Sequence, residues 1–235
     1  MKIACIWEHN GEDTLLYVRD YPGAFARGEN LKTALAKLPT EIRNYQKWCG
    51  LSVSLNHEIE IVQDVPSELN IRDADSDALL DGENAPISFE EYQTLKRLTL
   101  KSAEDFQRLY ESIPDKDAPL TVPRKTFYGQ IPSTSEEMYQ HTKSVNAYYF
   151  GEIGIDADNE GTILGCRLRG FEQLEENLEL LSAAAVEGSY GEYWSVRKVL
   201  RRFLWHDRIH AKALYRHAIE VFDAGAIANP FSFEL

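Results

Sequence analysis

The spacing of apolar residues changes once along this chain of 235 residues, and that change constrains the fold more than any other feature. From residue 88 onward, apolar side chains recur every three or four positions in four long segments, which is the period of an amphipathic helix. Before residue 64 they alternate in short runs separated by turn residues, which is typical of strands. We therefore predict an α+β protein, in which a small ββ(β)αβ domain is followed by an all-α four-helix bundle.

The first part of the chain predicts a hairpin, a third strand, a helix and a fourth strand. Ile3, Cys5 and Trp7 share one face of the first strand, and the Asn-Gly pair after it is a strong hairpin signal. In the segment YPGAFARGEN, a Pro-Gly turn and a short strand lead to Asn30, which predicts a helix cap. Residues 52–62, with the sequence SVSLNHEIEIV, are predicted as the fourth strand.

Four helices are predicted in the second part from their caps and apolar stripes. They are residues 88–113, a helix capped at Ser133 or Thr134, residues 171–184, and a helix capped near Ser195 that continues to about residue 222. Amphipathic helices joined by loops bury their stripes against one another, which is the arrangement of a bundle. The predicted domains are therefore residues 1–63 and 88–235, joined by an acidic connector at residues 64–87.

Composition excludes several classes of function. The net charge of −13 opposes binding to nucleic acid, because neutralising phosphates requires an excess of Lys and Arg. No run of eighteen apolar residues occurs, and the first residues lack the pattern of a secretion signal, so we expect no membrane span and a cytoplasmic location. Cys5, Cys49 and Cys166 lack CxxC spacing, which favours reduced structural thiols over a disulfide framework.

Charge is distributed unevenly along the chain. Residues 58–91 carry eleven acidic residues against one basic residue, Arg72, whereas residues 197–216 carry seven basic residues against one acidic residue, Asp207. One interpretation is a solvated acidic connector and a basic helix surface. The other is a basic rim that attracts an anionic small molecule.

The last predicted helix places two histidines where apolar residues belong. His206 and His210 lie in the stripe that also contains Val199 and Phe203, and residues at i and i+4 stand about 6 Å apart along the axis. Their ring nitrogens can therefore converge on one ion. His217 lies about 10 Å beyond His210 along the helix, which is too far to share that ion.

A third ligand is available on the second predicted helix. His141 lies on the same stripe as Met138 and Val145, and in a bundle that stripe can face the last helix. Three neutral imidazoles suit Zn, Ni or Fe and leave positions for a small ligand. The alternative is that His141 is an ordinary core histidine and that the pair on the last helix arises by chance. His9 and His57 fall in a predicted turn and a predicted strand and do not join the set.

The stretch YPGAFARGENLKTAL, within this order of strands and helix, resembles the HicB-like antitoxin domain. The resemblance covers about residues 1–63 and depends on the Tyr-Pro-Gly turn and the Arg-Gly-Glu group before an amphipathic helix. HicB-like proteins often carry an additional DNA-binding module, and no segment of this sequence has that pattern. The resemblance therefore implies a domain for protein contacts, of which a homodimer is one form.

The segments EEMYQHTKSVNAYYFGEIG and RKVLRRFLWHDRIHAKALYR resemble the DinB-like superfamily of helix-bundle metalloproteins, over about residues 88–225. In that family one histidine of the second helix and an HxxxH pair on the last helix bind a divalent metal, which implies His141, His206 and His210 here. Characterised members include transferases and isomerases that depend on a low-molecular-weight thiol. The resemblance thus implies such a thiol as cosubstrate.

Together these features predict a metal-dependent and thiol-dependent transferase or isomerase that acts on a small electrophile. Tyr148 and Tyr149 on the second helix, and Arg202 one turn before His206, are candidates for orienting an anionic substrate. Each has a structural alternative, since the tyrosines can belong to the edge of the core and Arg202 can form a surface ion pair. The alternative function is a non-catalytic interaction protein, metal-stabilised or metal-free, whose HicB-like domain provides the contacts.

Overall fold

The chain forms two compact units in this structure, a computed structural model that describes residues 2–54, 57–120, 125–126 and 129–234. The first unit comprises Met1–Asp81 and Phe231–Leu235, and the second comprises Gly82–Pro230. The second unit is therefore an insertion in the sequence of the first. Most of the segment predicted as a connector belongs to the first unit, which continues to Asp81.

The first unit is a four-stranded sheet with one long helix. Its strands are β1 (Lys2–Asn10), β2 (Asp13–Val18), β3 (Phe25–Gly28) and β4 (Glu58–Pro66), and its helix is α1 (Leu31–Trp48). The strand order is β3-β2-β1-β4, with β4 parallel to β1 and the other neighbours antiparallel. The predicted order of strands and helix is confirmed in this unit.

Local sequence signals account for the turn and the helix of the first unit. Gly11 adopts a φ of +58°, a left-handed conformation that glycine adopts without strain, and β1 pairs with β2 across this turn. The Asn30 side chain accepts a hydrogen bond from the N–H of Thr33, which confirms the predicted cap. Against β2 and β3, α1 buries four residues at helical spacing: Ala34, Leu38, Ile42 and Tyr45.

The bounds predicted for the fourth strand are wrong. The sequence predicts residues 52–62, whereas β4 spans Glu58–Pro66 and pairs with β1 along almost its whole length. Earlier residues are held elsewhere, because the N–H of Ser54 donates to the side chain of Gln46 near the end of α1. Residues 55–56 lie outside the described part of the chain. Pairing with β1, rather than apolar alternation, therefore sets where this strand begins and ends.

The second unit consists of four helices and two short strand pairs. The helices are α2 (Phe89–Ser112), α3 (Ser135–Gly151), α4 (Ile163–Glu175) and α5 (Val196–Val221). The strands are β5 (Lys125–Thr126) with β6 (Gly129–Gln130) and β7 (Val186–Glu187) with β8 (Tyr193–Trp194), and both pairs are antiparallel. Each of α2 and α3 packs against both α4 and α5. No helix in the described ranges combines the length and apolar character needed to cross a bilayer.

Side-chain caps begin all four of these helices. The side chains of Ser88, Thr134 and Ser195 each accept a hydrogen bond from the main-chain N–H three residues further on, which confirms three predicted caps. Thr162 caps α4 in the same way. These bonds satisfy main-chain donors that the first turn of a helix otherwise leaves without a partner.

The position predicted for the third helix is wrong. The sequence predicts residues 171–184, whereas α4 spans Ile163–Glu175 and is followed by a separate 3₁₀ turn at Leu178–Ser182. Apolar residues keep a helical spacing past the end of α4 because Leu174 of α4 and Leu181 of the 3₁₀ turn are both buried. Periodicity alone cannot separate those two elements.

Gly170, within α4, allows this helix to lie close to α3. A Cβ atom at this position would lie 2.2 Å from Cε2 of Phe150, a fully buried ring on α3. We expect Gly170→Ala to destabilise the protein by about 1–3 kcal/mol through overpacking, although Ala is favoured over Gly in helices by about 1 kcal/mol. Equilibrium unfolding in urea measures this change.

Gly151, the last residue of α3, is the matched control for this substitution. A Cβ atom there meets no other atom within 4 Å, and Gly151 does not have a positive φ. Gly151→Ala is therefore expected to leave stability unchanged or to raise it by up to about 1 kcal/mol. A Gly170→Ala protein as stable as the wild type would show that α3 and α4 do not pack at this distance.

Candidate metal centre

The candidate metal centre lies where α3 packs against α5. The apolar stripe of α5 that contains Val199 and Phe203 also carries His206, and all three side chains are buried. His210, one turn further along α5, and His141 of α3 are each partly buried. Amphipathic spacing on the two helices therefore brings the three histidines to one place.

The three imidazoles meet through their Nε2 atoms. The Nε2 of His210 lies 3.2 Å from the Nε2 of His141 and 3.2 Å from the Nε2 of His206. One nitrogen from each ring lies within 4.8 Å of the other two, so the group can hold a metal ion. Two imidazole nitrogens on one tetrahedral Zn²⁺, each at about 2.0–2.1 Å, lie about 3.3 Å apart, and the observed spacing fits that value.

Hydrogen bonds between the three imidazoles cannot account for both of the Nε2 contacts that His210 makes. A neutral imidazole has one N–H and one lone pair, so an Nε2 that donates to one neighbour cannot also donate to the other. An ion can instead accept one lone pair from each ring. The Nδ1 of His206 is buried and has no hydrogen-bond partner in the part of the chain that the structure describes, whereas its Nε2 contacts His210.

Burial keeps two of these histidines neutral. Burial lowers the pKa of His141. It lowers the pKa of His206 well below the usual value, and the neighbouring His210, His141 and Arg202 lower that pKa further. Metal ions bind the neutral form of imidazole and compete with protons for its lone pair. The environment of the group therefore favours the protonation state that a metal requires.

Of the predicted substrate-orienting residues, Tyr149 lies against His206 and Arg202 lies against Tyr149. The ring centroid of Tyr149 is 6.0 Å from that of His206, and the guanidinium carbon of Arg202 is 5.5 Å from the centroid of Tyr149. Burial raises the pKa of Tyr149, although Arg202 opposes this shift, so the phenol keeps its proton at neutral pH. A proton donor and a positive charge thus lie beside the triad.

Arg202 is buried rather than on the surface. Its guanidinium carbon lies 5.7 Å from the ring centroid of Trp194 and 5.0 Å from that of Trp205, in addition to its contact with Tyr149. Faces of aromatic rings attract cations, so the three rings stabilise and orient this charge. Tyr148 lies further out, with its ring 5.8 Å from Trp194 and 5.4 Å from Tyr149.

The sequence does not predict a buried ion pair that lies beside the triad. Arg167 of α4 contacts Asp207 of α5 at N–O distances of 3.3 and 3.4 Å, and neither side chain is exposed. The Nε of Arg167 also donates to Oδ1 of Asn146 on α3 at 3.1 Å. The pair therefore links the helix of His141 to the helix of the HxxxH pair. The only sequence signal for it is Asp207, the single acid among residues 197–216.

The basic residues of α5 are mostly turned inward, so neither a basic surface nor a basic rim describes this helix. Four of its seven basic residues are buried: Lys198, Arg201, Arg202 and Arg208. Lys198 is paired with Glu192 at 2.9 Å, and Arg201 is paired with Glu83. Buried ion pairs within the second unit therefore neutralise part of the basic charge of α5, whereas eight of the eleven acidic residues in 58–91 belong to the first unit.

The remaining histidines lie apart from the group. His217 contacts Glu220 at 3.5 Å, and in the first unit His9, which belongs to β1 rather than to a turn, contacts Asp64 at 2.8 Å. Within the described ranges, the triad is the only group of three or more side chains placed to hold a metal ion.

Comparison of the chain with protein families, with curated proteins and with solved structures gave no match.

Proposed function

We propose that the second unit is a DinB-like four-helix bundle, formed by α2 to α5, that binds Zn, Ni or Fe through His141, His206 and His210. The observation that carries this proposal is the convergence of three Nε2 atoms from two helices. Nitrogen ligands favour transition metals over Mg²⁺ and Ca²⁺, which prefer oxygen. Three protein ligands also leave a position for a small molecule, which is typical of catalytic rather than structural sites.

The proposed activity is the transfer of a small electrophile to a low-molecular-weight thiol, or an isomerisation that depends on such a thiol. A divalent ion at this site would lower the pKa of a thiol or of water and so supply a nucleophile near neutral pH. Tyr149 keeps its proton and can donate a hydrogen bond to the electrophile. Arg202, held among three rings, can bind an anionic group of the substrate and orient it.

Partial exposure of the triad supports a catalytic role for the metal. His206 is buried, whereas His141 and His210 are each partly exposed, so a small molecule can reach the group from their side. The competing function is an interaction protein in which the metal is structural or absent. In that case the first unit, as a HicB-like contact domain, would carry the function and a homodimer would be one product.

Metal content tests the proposal first. Protein purified without a polyhistidine tag and loaded with Zn, Ni or Fe(II) is expected to retain about one equivalent per chain after desalting, because three ligands in a preformed site bind tightly. Inductively coupled plasma mass spectrometry measures this ratio. Retention of only a small fraction of an equivalent of every transition metal would contradict the site.

Substrate charge provides the second arm of the same test. Loss of a small thiol, followed with Ellman's reagent, is compared for an anionic electrophile, such as an unsaturated dicarboxylate, and its neutral ester. Arg202→Met is expected to lower kcat/KM for the anionic substrate by at least about tenfold, the usual cost of losing a charge-assisted hydrogen bond, and to leave the neutral ester almost unaffected. Metal binding with neither thiol consumption by any electrophile nor thiol-dependent isomerisation of the unsaturated dicarboxylate would favour the interaction protein.

A further inference from the structure

A buried group of four side chains, here called the Arg167 clamp, joins three helices beside the triad. The guanidinium of Arg167 on α4 contacts the carboxylate of Asp207 on α5 with two nitrogens, and its Nε donates to Oδ1 of Asn146 on α3. The face of the guanidinium lies on the Phe203 ring of α5, with 3.7 Å between the guanidinium carbon and the ring centroid. All four side chains are fully buried.

The members of the clamp on α3 and α5 are close in sequence to the histidines of the triad. Asp207 follows His206 directly, and Phe203 lies about one turn before it. On α3, Asn146 lies five residues after His141, which is about 7.5 Å along the helix axis. Because a helix moves as one body, any shift of α3 along α5 at the clamp displaces His141 relative to His206 by the same amount.

The buried histidine of the triad has no second hydrogen bond to hold its ring. The Nδ1 of His206 has no partner in the part of the chain that the structure describes. Histidines that bind a metal usually donate this second N–H to an oxygen that orients the ring, and loss of such a partner weakens metal binding by about 10–100-fold. The position of His206 relative to His141 therefore depends on how α3 and α5 are placed against each other.

The hydrogen bonds of the clamp permit one placement of these helices. The Nδ2 of Asn146 donates to the main-chain oxygens of Asp158 and Cys166, at 2.7 and 3.2 Å, so its Oδ1 is directed at Arg167. Each of the three guanidinium nitrogens has an acceptor. A shift of either helix would leave a buried charge without its partners, which is costly, whereas purely apolar cores lose their unique packing more readily than their stability.

We propose that Arg167 is a positioning residue of the metal centre. Its clamp fixes the placement of α3 against α5, and so the distance from the Nε2 of His141 to those of His206 and His210. The inference rests on the proposed function of the triad. Arg167 acts through the helices and not by contact with the ion. Ligands must be held within about 0.5 Å of their working positions, so a small loss of helix placement is enough to weaken the site.

Removal of both charges separates positioning from folding. Arg167→Met/Asp207→Leu leaves no isolated charge, so its helices are expected to stay folded, as measured by circular dichroism. Its affinity for Zn²⁺, measured by competition with a chromophoric chelator, is expected to fall about 10–100-fold. With Co²⁺ in place of Zn²⁺, the visible absorption bands are expected to change, because they report the coordination geometry that the three imidazoles impose.

A second variant breaks only the link to α3, and a third provides the matched control. Asn146→Leu keeps the ion pair and nearly the same volume, and it is expected to lower zinc affinity by about tenfold. Leu95→Ala, in α2, creates a cavity outside the clamp. Glu91, one turn before Leu95, pairs with Arg197 at the start of α5, nine residues before His206. Leu95→Ala is therefore expected to lower stability and to leave zinc affinity and the Co²⁺ spectrum unchanged.

The possible failures of this experiment have different meanings. A wild-type protein that binds no metal contradicts the proposed function of the triad, and the positioning role falls with it. If the wild type binds metal, unchanged zinc affinity in either clamp variant overturns the positioning role alone. An equal loss of affinity in Leu95→Ala would show that metal binding follows overall stability. Unfolding of both clamp variants would show that the clamp is required for folding and has no separate role at the metal centre.

Discussion

Replacing His206 by alanine is expected to abolish stoichiometric metal binding and to leave the helices folded. His206 is the buried member of the triad, so its imidazole is the ligand that water can least readily replace. Loss of a residue that merely orients a ligand weakens metal binding by about 10–100-fold, so loss of the ligand itself should weaken it by more than about 100-fold. Isothermal titration with Zn²⁺ and metal analysis after desalting measure this loss.

His217→Ala is the control for this substitution. His217 lies on the same helix, but it contacts Glu220 and does not belong to the triad, so its removal should leave metal content unchanged. A His206→Ala protein with full metal content, or a His217→Ala protein without metal, would show that the ligands are wrongly assigned. Phe203→Ala separates folding from binding, because removing a fully buried ring costs about 3–5 kcal/mol of stability and removes no ligand.

The triad could be predicted from the sequence because each part of it follows a local rule. His206 and His210 are four residues apart, and a helix brings such residues to one face whatever surrounds it. His141 follows from the apolar stripe of its own helix, and the helices follow from their caps at Ser88, Thr134 and Ser195. Periodicity and capping are properties of short segments, so they can be identified in the sequence before the fold is known.

The features that the sequence did not predict depend on contacts between distant segments. Arg167 and Asp207 are forty residues apart, and the pair forms because α4 and α5 each contribute one buried side chain. Asn44 and Glu234 are separated by 190 residues, so no local pattern indicates that the chain returns to α1. The position of β4 likewise follows from pairing with β1. Two basic residues of α5, Arg197 and Arg201, likewise pair with acidic residues that are 106 and 118 positions away, Glu91 and Glu83.

Breaking the buried ion pair is expected to lower stability as strongly as removing a fully buried core ring. Asp207→Asn leaves the Arg167 guanidinium buried without a countercharge, and removing one member of such a pair costs about 3–5 kcal/mol. Burial raises the pKa of Asp207, and the charge of Arg167 opposes that shift. The guanidinium therefore stabilises the ionised form of this carboxyl group. Unfolding in urea, followed by circular dichroism on metal-free protein, measures the loss without a contribution from bound metal.

The double variant Arg167→Met/Asp207→Leu separates the penalty of an isolated charge from the net contribution of the pair. Since neither charge remains, we expect it to be more stable than Asp207→Asn, and its destabilisation to be well below the sum of the two single substitutions. Glu60→Gln, which neutralises the partner of Lys2 in an exposed ion pair, is the matched control and should change stability little. Additive effects of Arg167→Met and Asp207→Leu would mean that the two side chains do not interact, and the link between α3, α4 and α5 would then have to come from apolar packing alone.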